Sequence, residues 1–149
     1  MRMELVPLIC FVAFIAGGCA YLGSNGKRKP TKDAPYIAQR ASDGLWIYRL
    51  DSIAGVTHES ALRFKDALAC RAGYTRFRSM LTAGVDPIIR TDSNRATLER
   101  WHIEDGQGGA VDNAEQGFAT PSAAMRNFKS VKRAIIACPD PVIKTDKLP

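Results

Sequence analysis

The histidines and cysteines are the side chains of this 149-residue chain that could bind a metal or form a nucleophile and its base. The two histidines, His58 and His102, lack a metal-binding spacing such as two histidines one helical turn apart with a glutamate between them. A zinc site of Cys70, Cys138 and His102 lacks the closely spaced ligand pairs that make such sites specific. Cys70 could also act as a nucleophile with His102 as its base, but a disulfide at Cys70 would exclude this arrangement. We therefore predict no metal and no cofactor.

Acidic residues near His102 and a glycine-rich stretch could serve hydrolytic or phosphate-binding chemistry. Glu99 with Glu104 or Asp105 would form a carboxylate pair of the kind that hydrolyses glycosides. The stretch 105–109, Asp-Gly-Gln-Gly-Gly, lacks the Lys-Ser or Lys-Thr that completes a phosphate-binding loop, so we interpret it as a flexible turn. One hypothesis is therefore an enzyme in which this loop covers a cleft, with acid and base roles taken from Glu99, His102, Glu104 or Asp105.

The first element that could position such side chains is a strand at 45–50, which is dense in aromatic and branched residues. A helix should follow, with Thr57 as its N-cap and His58 exposed beside the cap. Apolar residues recur at helical spacing on its predicted core face, which consists of Ala61, Phe64, Leu68 and Ala72. Gly73 would end this helix in a left-handed cap. Cys70 then projects from the side opposite the core.

The following segments indicate a second group of strands and a second helix. Residues 74–82 fit either a short helix or a strand, and we favour the helix. Residues 88–104 indicate a hairpin, in which His102 is a partly buried polar side chain, and a polar glycine-rich loop comes next. A threonine followed by proline then starts a helix at about 121–131, and a strand is expected at about 133–138.

This order predicts an α+β fold with two helices on a small mixed or antiparallel sheet. The ferredoxin-like order βαββαβ is one form of that class. We place the α+β domain at residues 44–141, after a glycine- and proline-containing basic linker at 19–43 and before a basic C-terminal tail at 142–149. No internal repeat is visible in the sequence.

The amino terminus carries a targeting pattern. Arg2 gives a positive head, an apolar run spans 5–15, and Ala16-Gly17-Gly18 leads to Cys19. Residues 1–19 resemble a bacterial lipoprotein signal peptide. The resemblance implies that signal peptidase II removes residues 1–18 and that Cys19 carries a diacylglycerol and an acyl chain such as palmitate. An uncleaved transmembrane anchor is the alternative, because the apolar run approaches the spanning length and basic residues follow it.

The cysteines that remain in the mature chain indicate one disulfide. Cys10 leaves with the signal peptide and Cys19 is lipidated, so that Cys70 and Cys138 are left. In an oxidising envelope compartment, two remaining cysteines predict a bridge between them. Closing a loop of this length would stabilise the fold by about 4 kcal/mol in the chain-entropy model.

The net charge of +6 permits attraction to anionic lipids or polymers. Four of the positive charges lie in the linker, at Lys27, Arg28, Lys29 and Lys32, and most of the others alternate with acidic residues, so we expect no nucleic-acid partner. No small-molecule ligand is evident. The leading hypothesis is a non-enzymatic binding, assembly or structural module of the envelope, held to the membrane by its lipid and able to bind an envelope protein. By resemblance, Ala20 after the lipidated cysteine implies the periplasmic face of the outer membrane, with the inner membrane as the alternative.

Overall fold

A computed structural model describes residues 34–52, 55–92 and 97–149. Within these residues the chain forms seven strands and two helices: β1 (Tyr36–Gln39), β2 (Trp46–Ser52), β3 (Gly55–Glu59), α1 (Ala67–Thr82), β4 (Ile88–Asp92), β5 (Leu98–Glu104), β6 (Ala110–Asn113), α2 (Pro121–Ala137) and β7 (Val142–Ile143). The predicted α+β class with two helices is confirmed. In the part of the chain described, no helix has the length and apolar content needed to cross a bilayer.

The strands form two sheets. One has the order β3-β2-β1-β7 and the other has the order β4-β5-β6. The β1–β7 pair is parallel and the other pairs are antiparallel. The ferredoxin-like order is therefore not adopted by the described residues, because three strands precede each helix and the strands are divided between two sheets.

The chain contains two structurally equivalent repeats, each with three strands and a helix. The strand pairs have matching registers: Leu50 lies opposite His58 in the first repeat, and Ile103 lies opposite Asp112 in the second. The buried helix positions also match in spacing, with Cys70, Tyr74, Phe77 and Leu81 in α1 and Ala124, Phe128, Val131 and Ile135 in α2, each 54 residues later. His58 and Asp112 therefore occupy equivalent positions, although their side chains differ.

The first helix begins at Ala67, ten residues after Thr57, its predicted N-cap. Thr57 lies in β3, and the N-cap is Asp66, whose side chain accepts a hydrogen bond from the backbone N–H of Ala69. Because the helix begins later than predicted, a different set of its residues faces the core. Leu68, which was predicted to face the core, is 78% exposed. Gly73 lies inside the helix, which continues to Thr82, and its lack of a side chain leaves room for the Phe64 ring, whose Cζ would lie 2.4 Å from a Cβ there.

Other segments partly follow the predictions. The hairpin at 88–104 is confirmed as β4 and β5, and residues 74–82 are helical, as favoured, but they belong to α1. Residues 110–113 form a strand inside the predicted loop. Residues 133–138 do not form a strand, because α2 continues through Ala137 and its buried stripe extends to Ile135.

The fold extends beyond the predicted domain limits at both ends. β1 lies within the segment predicted to be a linker, and β7 lies within the predicted tail. The C-terminal segment continues along β1, where the Lys144 N–H donates to Ile37 O and the Leu148 N–H donates to Gln39 O. The Lys144 ammonium also lies 3.3 Å from the centroid of the Tyr36 ring, a cation–π contact. These contacts make residues 142–148 part of the first sheet's edge.

Candidate functional site

Cys19, the predicted lipidation residue, lies outside the described residues, and so does the whole predicted signal peptide. The lipidation of Cys19 therefore stays a prediction.

The predicted Cys70–Cys138 disulfide is absent from the structure, in which Cys70 is a free thiol. The prediction rested on the two cysteines that remain in an oxidising compartment, and it placed Cys70 on the polar side of its helix. Instead Cys70 is fully buried on the core side of α1, and Cys138 is the buried C-cap residue of α2. The correction follows from the later start of α1, which turns Cys70 inward.

The Cys70 thiol should be unreactive in the folded protein. Burial raises its pKa to about 12, so almost no thiolate forms near neutral pH. We expect iodoacetamide at pH 8 to leave Cys70 unmodified in the native chain and to modify it in guanidinium chloride. Peptide mass mapping measures this difference, and a native Cys70 that is alkylated at the denatured rate would contradict the buried position.

The candidate acid and base residues do not share one cleft. Along β5, Trp101 and Ile103 face the core, so His102 and Glu104 lie on the opposite, outer face. Glu99 alternates to the side of Trp101, where its carboxylate accepts a hydrogen bond from the Thr91 hydroxyl at 3.1 Å. Cys70 is in the core and His102 is on the outer face, which excludes the thiolate–base pair in this fold. Within the described ranges, no group of three His, Cys, Asp or Glu side chains could hold a metal ion.

Asp105 organises the turn between β5 and β6. Its Oδ1 accepts backbone N–H bonds from Gly109 at 2.7 Å and Gln107 at 3.0 Å. Both hydrogen bonds lower the pKa of the Asp105 carboxyl, and the bond from Gly109 has the larger effect. Asp105 also pairs with Arg76 of α1 at 2.7 Å. Residues 105–109, which were predicted to form a flexible turn, thus form a hairpin turn. Its acidic residue is bonded to other groups of the same chain.

A buried polar cluster joins the two repeats in the core. Asp112 Oδ2 accepts hydrogen bonds from the Tyr48 hydroxyl at 2.6 Å and from His58 Nε2 at 2.8 Å. Asp112 Oδ1 accepts the backbone N–H groups of Ala61 at 3.0 Å and Asn113 at 2.9 Å. A carboxylate buried without partners would be costly, so these four donors explain why it is tolerated. The prediction that His58 is exposed is wrong, because Thr57 is in a strand and not in a helix cap.

Aromatic rings surround this cluster and close it to solvent. The His58 ring centroid lies 5.2 Å from that of Trp101, 6.1 Å from Tyr48 and 6.1 Å from Phe77. The side chains of His58 and Asp112 are 1% and 0% exposed. A histidine oriented by an aspartate is the geometry of a general base. Here the pair is too enclosed for a substrate to reach its bonded atoms, and its hydrogen bonds connect the two repeats.

A shallow depression of about 220 Å³ lies beside the buried cluster, between β3 and the start of the segment that leads to α2. Its wall includes Thr57 and Asn127, whose amide links the two repeats: Nδ2 donates to Thr57 O at 3.1 Å, and Oδ1 accepts from Trp101 Nε1 at 2.8 Å. Both polar ends of Asn127 are therefore engaged by the protein.

The outer face of the first sheet carries an internal ion network. Glu59 lies 3.1 Å from Arg63, 3.6 Å from Arg49 and 3.7 Å from Arg40, measured between carboxylate oxygens and guanidinium nitrogens. Its side chain is only 11% exposed. Three arginines thus converge on a carboxylate that the chain supplies.

The outer face of the second sheet carries two arginines that pair with carboxylates of the chain: Arg90 lies 2.5 Å from Glu104, and Arg100 lies 3.4 Å from Asp92. We call it the basic face, defined by Arg90, Arg100, His102 and Asn113. These residues line an open depression of about 400 Å³ together with Thr91 and Asp92. The pKa of His102 is lowered, chiefly by partial burial and next by the nearby charge of Arg90. Glu104 partly opposes this effect. The sequence placed His102 in a strand but did not indicate that Arg90 and Arg100 would lie beside it.

No protein-family model matches the chain, and no curated protein matches it either. Two solved structures are similar to it in fold. One is the protein of unknown function yegP from E. coli, with 17% identity, a TM-score of 0.57, and coverage of 75% of this chain and 92% of that one. The other is a UPF0339 protein from Shewanella oneidensis, with 10% identity, a TM-score of 0.58, and coverage of 76% and 91%. At these identities the likeness shows the fold alone.

Proposed function

We propose that this chain is a small envelope lipoprotein whose folded domain acts as a non-enzymatic binding or assembly module. The observation that carries the non-enzymatic part is that the acid and base candidates are not gathered in one cleft. Glu99 faces the core side of its sheet, His102 and Glu104 face the outer side, and Asp105 is bound within a turn. General acid–base catalysis needs its groups within hydrogen-bond reach of one reacting centre. This arrangement supports a binding role over hydrolysis of envelope polymers.

The proposed location depends on the amino-terminal pattern. The small residues 16–18 and Cys19 support processing and lipidation, and Ala20 supports the periplasmic face of the outer membrane. In this proposal residues 20–33 separate the lipid from β1, which begins at Tyr36. Binding to an envelope protein would then occur close to the membrane, where the basic linker can also contact anionic headgroups.

Radiolabelled palmitate tests the proposed tether. We expect the wild-type chain to be labelled and Cys19→Ser to be unlabelled, because the thiol is the acceptor of the diacylglycerol. Cys10→Ser is the matched control, since it keeps Cys19 and should be labelled like the wild type. Fractionation of the labelled cells should place the label in the outer membrane. Labelling of Cys19→Ser would overturn the tether, and label in the inner membrane would overturn the proposed location.

A further inference from the structure

The second helix has a solvent-facing side that is basic. The exposed residues of α2 lie opposite its buried residues, and they include Arg126, Lys129 and Arg133. Lys132 lies beside them and is partly buried. We call these four residues the α2 stripe. Since residues 121–137 contain no aspartate or glutamate, the α2 stripe has four positive charges and no carboxylate on its own helix.

The α2 stripe also differs from the other basic side chains in its lack of ion pairs. Arginines of the sheets and of α1 pair with carboxylates of the chain, as Arg49 does with Asp51 and Arg76 does with Asp105, both at 2.7 Å. In the part of the chain that the structure describes, no residue of the α2 stripe forms such a pair. Its positive charge is therefore available to an external anion.

The positive charges of the α2 stripe do not stabilise the helix that carries them. Arg126 with Lys129 and Lys129 with Arg133 are like-charge pairs one helical turn apart, and such pairs destabilise a helix. No basic residue lies in the last turn, where the helix dipole would favour one. The equivalent exposed positions of α1, 54 residues earlier, are neutral: Ala72, Thr75 and Ser79. The fold thus accepts neutral residues here, and the stripe needs an explanation other than helix stability.

The shape and composition of this side of α2 suit a flat anionic surface. Neither depression described above includes a residue of the α2 stripe. The exposed side also carries Ser122, Ser130 and Ala137, and it has no aromatic residue on which a nucleic-acid base could stack. Long lysine and arginine side chains on the convex surface of a helix can all reach the headgroups of an anionic bilayer.

We propose that the α2 stripe binds anionic phospholipid headgroups and so determines which side of the domain faces the membrane. The proposal rests on the membrane tether argued above. Residues 20–33 can extend by at most about 50 Å, so the tether keeps the domain near the bilayer without fixing its orientation. Each cation strengthens adsorption to an anionic leaflet by about fivefold. Four such charges bind weakly in free solution, but the tether makes the contact intramolecular and therefore effective.

This orientation has a consequence for the second sheet. The buried side of α2 packs against β5, where the Phe128 ring contacts that of Trp101 at a centroid distance of 5.4 Å. The outer face of that sheet, which carries His102, is therefore on the other side of the core from the α2 stripe. With α2 on the membrane, this outer face points away from the bilayer, where it is accessible to an envelope protein.

Paramagnetic relaxation in lipid nanodiscs tests the orientation of the full chain. The discs contain phosphatidylcholine alone, or phosphatidylcholine and phosphatidylglycerol in a three-to-one ratio, with a trace of phosphatidylcholine that carries a nitroxide on its headgroup. We expect the amide signals of residues 126–133 to broaden in the anionic discs, and to broaden at least about fivefold less in the neutral discs. The amide signal of His102 should stay sharp in both. Equal broadening of α2 in the two kinds of disc, or stronger broadening at His102 than in α2, would overturn the proposal.

Two double variants separate the α2 stripe from general attraction between charges. Lys129→Gln with Arg133→Gln removes two exposed cations of the stripe and should reduce the broadening of α2 in the anionic discs at least about fivefold. Lys65→Gln with Lys147→Gln is the matched control, because it removes the same charge from exposed positions outside α2, and it should broaden like the wild type. Equal losses in both variants, or normal broadening in the first, would overturn the proposal.

Two further outcomes separate the lipid from other partners and the stripe from the tether. Duplex DNA added at the same ionic strength should leave the broadening of α2 in place, and release of α2 from the disc by DNA would overturn lipid as the occupant. Loss of palmitate labelling at Cys19 with normal broadening of α2 would overturn the tether alone. Normal labelling without broadening of α2 would overturn the stripe alone.

Discussion

Replacing Asp112 with alanine should lower the free energy of unfolding by about 3–5 kcal/mol, because several buried donors lose their acceptor at a cost of roughly 1–3 kcal/mol each. The substitution leaves Tyr48, His58 and two backbone N–H groups without the acceptor that they share. Each unsatisfied buried donor carries a desolvation cost. Because His58 belongs to the first repeat and Asp112 to the second, the substitution also breaks the central polar link between them. Guanidinium denaturation of the full chain, followed by tryptophan fluorescence, measures the loss.

Asp86→Ala is the matched control for this substitution. Asp86 is exposed in the connection between α1 and β4, and its replacement should change the free energy of unfolding by no more than about 0.5 kcal/mol. Asp112→Asn gives a second readout, since its amide NH₂ would face the donors of Tyr48 and His58. It should also destabilise the protein. Near-native stability of Asp112→Ala would show that the cluster does not hold the repeats together.

Replacing Phe77 with alanine should destabilise the protein by about 3–5 kcal/mol, as is typical when a buried phenylalanine is truncated. The Phe77 ring lies between those of Tyr48 and Trp101, with centroid distances of 6.0 and 6.4 Å, and is nearly parallel to the latter. The cavity would therefore open at the contact between the repeats. The same denaturation measurement reports the loss.

Leu68→Ala is the control that tests the orientation of α1. Leu68 lies on the same helix but is 78% exposed, so its truncation should cost no more than about 0.5 kcal/mol. The sequence-based orientation predicts a large loss, because it places Leu68 in the core. A cost for Leu68→Ala that equals or exceeds that of Phe77→Ala would contradict the buried face of Cys70, Tyr74, Phe77 and Leu81.

The elements that could be predicted from the sequence are those with local signals. The polar turn at 92–94 indicates the β4–β5 hairpin, and Thr120 with the following proline marks the start of α2. The apolar spacing indicates α2 and the α+β class, but the spacing chosen for the first helix gave the wrong start and the wrong buried face. Each of these signals lies within a few residues of the structure that it specifies.

The elements that were missed depend on pairing between distant segments. β1 and β7 are short and are stabilised by each other and by β2, and no local pattern marks them. Thr57 can cap a helix, but it lies in β3 because that segment pairs with β2. This one difference explains the reversed face of α1, the inward position of Cys70 and the burial of His58. The repeated spacing of buried helix residues, 54 positions apart, is a sequence signal that could have revealed the duplication.

The candidate site was predictable only in part. Glu99, His102 and Glu104 were correctly placed on one arm of a hairpin, and strand alternation separates Glu99 from His102 and Glu104, which share the outer face. The basic face was not predictable, because Arg90, Arg100 and Asn113 come from three strands whose register had to be known.

The central proposal is that lipidation of Cys19 holds this domain at the cell envelope. Mass spectrometry of the amino-terminal peptide, from protein isolated with the cell envelope, identifies both the first residue and its modification. We expect a peptide that begins at Cys19 and carries a diacylglycerol and an acyl chain. A peptide that begins at Met1, or one in which Cys19 is unmodified, would contradict it.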